Sequence, residues 1–134
     1  MASGKLEVLS TDECVFLLAQ AKVGRVGVSV NAIPEISPVN YCLLERVIVF
    51  RTGEGTKLHA ATRRSVLAFE VDEFDADVLH GWSVLVVGRS DEVIDPKQVI
   101  AARRLLSDNW LPTDRYHTVG IALDRVTGRR ITGG

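Results

Sequence analysis

With 134 residues, 46% of them hydrophobic and 25% charged, the chain is long enough to bury one core and too apolar to stay disordered. Sixteen basic against seventeen acidic side chains give a net charge of −1, which excludes the basic excess that nonspecific nucleic-acid binding relies on. The longest apolar runs, Val84–Val87 and Val47–Phe50, fall far short of a membrane span, and the N-terminus shows no signal-peptide pattern.

Residues 1–9 read as a tail. Ser10-Thr11-Asp12-Glu13 is a capping box, and the helix it opens carries Cys14, Leu17, Leu18 and Ala21 on one face until Val23-Gly24 ends it. From Arg25 the period becomes two: Val26, Val28 and Val30 alternate with Arg25, Gly27 and Ser29. Asn31-Ala32 is a predicted hairpin turn into a second strand from Ile33 to Leu44, and Glu45-Arg46 turns the chain into a third from Val47 to Arg51. Lys57 to Arg64 reads as a short helix capped by Thr56. A fourth strand, Val66–Val71, leads to an acidic loop with Asp72, Glu73, Asp75 and Asp77, and a fifth runs from Trp82 to Arg89. Pro96 opens a helix through Leu106, and strands at Thr118–Leu123 and Val126–Ile131 close the chain. This pattern predicts a single domain over residues 1–134, mainly β with short helices, built as a closed antiparallel barrel.

Two strands are apolar on both faces. Val47 and Val49 stand opposite Ile48 and Phe50, and Trp82, Val84 and Val86 stand opposite Leu85 and Val87. A small barrel strand normally has one wet face, so a second cover is expected, either the two helices or a second copy of the chain in a homodimer.

The segment from Ser37 to Leu58 is the densest in chemistry. Arg51, Thr52, Thr56 and Lys57 surround Gly53 and Gly55 between a strand and a helix, a set of cations, hydroxyls and free backbone donors that suits a phosphate or simply a charged surface turn. It is not a P-loop, because Lys57 follows Thr56 and precedes Leu58, and it lacks the third glycine of a dinucleotide fingerprint. His59, His80 and His117 are scattered without metal-ligand spacing, and Cys14 and Cys42 form neither a metal pattern nor a disulfide framework, as expected of a reduced cytoplasmic protein. No Gly-x-Ser-x-Gly elbow is present. Without an acid–base constellation, a bound redox cofactor would have to carry the reactive chemistry.

Gly24-Arg25-Val26-Gly27-Val28 after the capped helix, Pro38-Val39-Asn40-Tyr41, Phe50-Arg51-Thr52 with Gly55-Thr56-Lys57-Leu58, and Gly81-Trp82-Ser83-Val84 resemble the flavin-binding split barrel proteins. The chain is most similar to their small bacterial, often actinobacterial branch, the pyridoxamine 5′-phosphate oxidase-like proteins, over roughly Leu9 to Ile131. The resemblance implies a six-stranded antiparallel split β-barrel and a homodimeric, flavin-dependent oxidoreductase with FMN at the subunit interface. Pro38, Val39 and Asn40 would flank the flavin ring. Arg51, Thr52, Thr56, Lys57 and Leu58 would surround the phosphate, and Trp82 and Ser83 would come from the opposite subunit. No catalytic residue or metal is implied, and the partners expected are a second copy and a small molecule, with no nucleic acid and no membrane. Related barrels hold a deazaflavin or haem instead, and Arg63, Arg64, Arg103 and Arg104 are candidates for a deazaflavin's acidic tail. A noncatalytic flavin-binding or sequestering module is the reading from another class. True pyridoxamine phosphate oxidases carry a further C-terminal segment for the pyridoxal substrate, whereas this sequence ends at Arg129-Arg130-Ile131-Thr132-Gly133-Gly134.

Overall fold

A computed structural model describes residues 4–53, 64–106 and 116–133. Its elements in chain order are β1 (Lys5–Val8), α1 (Thr11–Gln20), β2 (Val23–Val30), β3 (Ile33–Leu44), β4 (Val47–Gly53), β5 (Ser65–Asp75), β6 (His80–Glu92), α2 (Pro96–Leu105), β7 (Tyr116–Ala122) and β8 (Arg125–Thr132). Hydrogen bonding runs β6-β5-β2-β3-β4-β7 and closes on itself through a β6–β7 pairing, so these six antiparallel strands form a barrel. β6 forks: residues 81–87 pair with β8, and Ser90, Asp91 and Glu92 pair with β7. Gly88 lies at the fork, where a Cβ would overlap the carbonyl of Ala122.

The local chemistry explains the elements. Glu13 donates its amide to the Ser10 hydroxyl at 3.2 Å and its carboxylate accepts from the Ser10 amide at 3.2 Å, completing the capping box. Donation from the Ser10 amide, and then from its hydroxyl at 3.0 Å, holds the Glu13 carboxyl below its ordinary pKa. Asp95 caps α2 by accepting from the Lys97 amide at 3.0 Å, with Pro96 in the first turn. Asn31 and Ala32 both have positive φ, as a two-residue turn between right-twisted strands requires. Inside the barrel, Val26, Val28, Ile48, Phe50, Leu67, Phe69, Val84, Val86 and Ile121 are buried, and α1 plugs one side with Cys14, Leu17 and Leu18. Burial pushes the Cys14 thiol pKa up.

Several expectations are corrected. The predicted tail contains β1, whose Leu6 pairs with Ile131. α1 ends at Gln20 with Ala21 as its cap, and Val23-Gly24 starts β2. Asp72, Glu73 and Asp75 belong to β5 rather than a loop, because the β5–β6 ladder continues to Asp75↔His80. The doubly apolar β4 is covered by α2, whose Ala102, with the capping Leu106, packs on Val49. Among the described residues the outer face of β6 has no such cover: Leu85 is 40% exposed.

Candidate phosphate-binding site

Strand alternation decides which predicted ligands share a surface. On β4, Ile48 and Phe50 point into the barrel while Val49 points out toward α2. Arg51 therefore continues the outer face and Thr52 the inner one. On β3, Tyr41 points inward and Val39 packs on the core, which leaves Pro38 and Asn40 facing out. Because Tyr41 pairs with Phe50, Asn40 and Arg51 occupy the next step along the same two strands, on one outer surface.

The surroundings of Arg51 and Thr52 come from β7. The Arg51 guanidinium carbon lies 5.2 Å from the Tyr116 ring centroid, a cation–π contact at the end of β4. Thr52 is 3% exposed, and its hydroxyl donates to the Gly53 carbonyl at 3.2 Å. Opposite Thr52 in the ladder stands His117, whose Nδ1 is 3.1 Å from Glu92 Oε1. Thr52, His117, Glu92 and Ser90 give this end of the barrel interior a polar rim, on which the Ser90 hydroxyl donates to the Ser65 carbonyl at 3.1 Å. Thr56, Lys57 and Leu58, together with His59, Arg63 and most of the predicted helix from Lys57, lie outside the described residues.

The other half of the predicted set sits elsewhere. Trp82 pairs with Glu73 and Arg130, turns inward and packs against the core; Ser83 pairs with Asp72 and Arg129 and faces out. Round the barrel by way of β5, β2 and β3, about 19 Å of sheet separates Ser83 from Arg51, and by way of β7 the contact with β6 begins only at Ser90, seven residues along the strand from Ser83. One chain thus joins Asn40 to Arg51 and leaves Ser83 apart.

Of the predicted ligands, Arg51 and Asn40 thus share the outer surface as a guanidinium fork beside an amide, a pair chemically able to hold a phosphate ester, whereas the Thr52 hydroxyl is spent inside the barrel on the Gly53 carbonyl. Tyr116 and the His117–Glu92 pair escaped the sequence reading. Only the β4–β7 register, which sets Tyr116 opposite Gly53, brings them to this end.

Comparison with known proteins bears on the family and the fold. An uncharacterised protein of Mycobacterium tuberculosis is 38% identical over 128 residues, 92% of this chain and 84% of that protein. The FAD binding protein from Mycobacterium smegmatis matches with a TM-score of 0.78 at 36% identity, covering 93% of this chain and 97% of the other. A FAD-binding protein from Mesorhizobium loti matches with a TM-score of 0.82 over 97% and 99% of the two chains, at 24% identity, and supports the fold alone. Among the described residues no helix is long and apolar enough to cross a membrane. Residues 10–130 match the profile of the pyridoxamine 5′-phosphate oxidase family, and the chain belongs to that family.

Proposed function

We propose that this protein binds a flavin nucleotide at the interface of a homodimer and works as a flavin-dependent oxidoreductase on a small molecule. The observation that carries the reading is the placement of Asn40 and Arg51 side by side on the outer face, at the margin of a sheet surface that the described residues leave uncovered. Arg51 grips the phosphate as a forked cation, with Lys57 as its sequence-based companion, and Asn40 offers an amide to the polar edge of the ring. When bound, the flavin supplies electron or hydride transfer.

The dimer follows from the same face. Ile36, Gly27, Ala68 and Val87 form one cross-strand row on the outside of β3, β2, β5 and β6, with Val66 and Leu85 beside it. Ile36 is 76% and Val66 66% exposed. A second copy covering this row also carries its own Ser83 toward the flavin, which one chain alone keeps distant. FMN is the nucleotide expected from sequence; the 36%-identical relative, described by the FAD it binds, favours FAD as the second reading of the cofactor, and a binding module without turnover is the alternative in role.

The test is the absorption spectrum of the purified protein, mass spectrometry of the heat-released cofactor, and titration of apoprotein with FMN and FAD. Failure to take up either flavin would refute the proposal. Uptake without faster reduction by nicotinamide or deazaflavin donors than free flavin shows would select the binding module.

A further inference from the structure

On the outer face of the sheet, below the proposed dimer row, a groove of about 470 Å³ is lined by Leu6, Asp72, Phe74, Ser83, Arg129 and Ile131 among others. Its floor follows from register. Phe74, Gly81, Ile131 and Leu6 form one cross-strand row, and Asp72, Ser83, Arg129 and Val8 form the next. Phe74 lies over Gly81, where a Cβ would collide with its ring, so the glycine seats the aromatic side chain on the sheet. That ring is nonetheless 57% exposed, and Leu6 and Ile131 extend the apolar strip at 61% and 40%.

One strand step away the chemistry changes. Arg129 is exposed and has no hydrogen-bond or ion-pair partner among the described residues, in contrast to Arg130, which faces the other way and reaches Glu7 and Glu13 at 3.4 Å. Asp72 is 3.5 Å from an Arg25 guanidinium nitrogen that also lies 3.0 Å from Glu70, so one cation is shared between the two carboxylates. Two strands and two residues separate Phe74 from Arg129, about 12 Å between Cα atoms. The groove therefore offers an aromatic platform at one end, a free guanidinium at the other, and a hydroxyl and a carboxylate between them.

We propose that this groove is a binding site for an adenylate group: the base stacks on Phe74, the ribose hydroxyls donate to Asp72, and the phosphate is gripped by Arg129. Stacking is tolerant of base identity, whereas a guanidinium prefers the phosphate to a neutral nucleoside, so the phosphate supplies most of the selectivity. The adenylate can arrive as free AMP or as the far half of FAD. The AMP source stands independently of the flavin reading, and the FAD source rests on it.

The experiment is calorimetric titration of the full-length protein with AMP, adenosine, FMN and FAD, repeated with Arg129→Gln and Phe74→Leu. AMP binds the wild type more tightly than adenosine, and Arg129→Gln removes that preference by roughly ten-fold or more while leaving FMN affinity unchanged. Phe74→Leu weakens AMP and adenosine together. If FAD carries the adenylate, Arg129→Gln narrows the FAD-over-FMN ratio; if free AMP is the ligand, only the AMP isotherm moves. AMP binding the wild type no better than adenosine, or FMN losing affinity in Arg129→Gln as much as AMP does, overturns the proposal. FMN titration reports on the flavin site separately, so the two readings fail independently.

Discussion

Tyr41 ties the strand that carries Asn40 to the helix that plugs the barrel. It is 3% exposed, and its hydroxyl donates to the carbonyl of Leu18 at 2.6 Å. Leu18 lies in the last turn of α1, where carbonyls have no partner within the helix, and this one is answered by Tyr41 instead. The Tyr41→Phe substitution keeps the edge-on contact with Phe69, whose ring centroid is 4.7 Å away, and removes only the donor. The cost is that of a buried carbonyl left unanswered, about 1–3 kcal/mol. For a chain of 134 residues this lowers Tm by about 4 °C per kcal/mol, hence roughly 4–12 °C. The pH dependence adds a second signature. Burial pushes the Tyr41 pKa far above the ordinary tyrosine value of about 10, so above that pH the unfolded chain loses a proton that the folded chain keeps. Wild-type stability then falls as pH rises past about 10, and the substitution removes that share of the slope. Calorimetric melts of both proteins between pH 7 and 11 check this. A Tm within 1 °C of wild type at pH 7, with the same alkaline slope, would refute the reasoning.

The remaining expectations follow the same geometry. Arg51→Ala should weaken FMN or FAD by about 1.5–3 kcal/mol while sparing riboflavin, which lacks the phosphate, and fluorescence titration separates the two. Leu85→Asp should put a charge on the uncovered face and shift the protein toward monomer in sedimentation at micromolar concentration. Ala32→Gly should raise Tm by a few degrees, since Ala32 holds φ at 63°, a conformation costing an L side chain about 1–2 kcal/mol. Glu70 has its pKa raised, first by burial and then by Asp72, so the folded carboxyl holds its proton above the ordinary range. Stability should accordingly decline as pH climbs from about 4.5 through that raised value, and Glu70→Gln should flatten the decline in urea titrations.

The fold was legible where local chemistry was complete. Ser10 and Glu13 satisfy each other, Asn31-Ala32 sits between alternating runs, and both are found as read. Two strand segments escaped because their evidence is distant. Lys5–Val8 is only four residues long, and its partner lies near the other end of the chain. Asp72–Asp75 looks like a solvated acidic loop until Arg25, at 3.5 Å from Asp72, and the β6 ladder supply a reason for it to stay extended. At the site, residue types were informative and faces were not. Arg51 and Thr52 look like one cradle in the sequence, yet a strand's period of two sends them to opposite sides of the sheet. The same period parts Trp82 from Ser83, so a neighbouring pair in sequence became one core-packed ring and one surface hydroxyl.

The pairing of β1 with β8 also sets a timetable. Lys5 meets Thr132 in the ladder, so β1 emerges from the ribosome 127 positions before the last of its partner. At about 5–20 residues per second that is a wait of roughly 6–25 s, during which Leu6 and Val8 travel unpaired on a nascent chain. The barrel strands can associate in the meantime, but β1 joins only once β8 has been made.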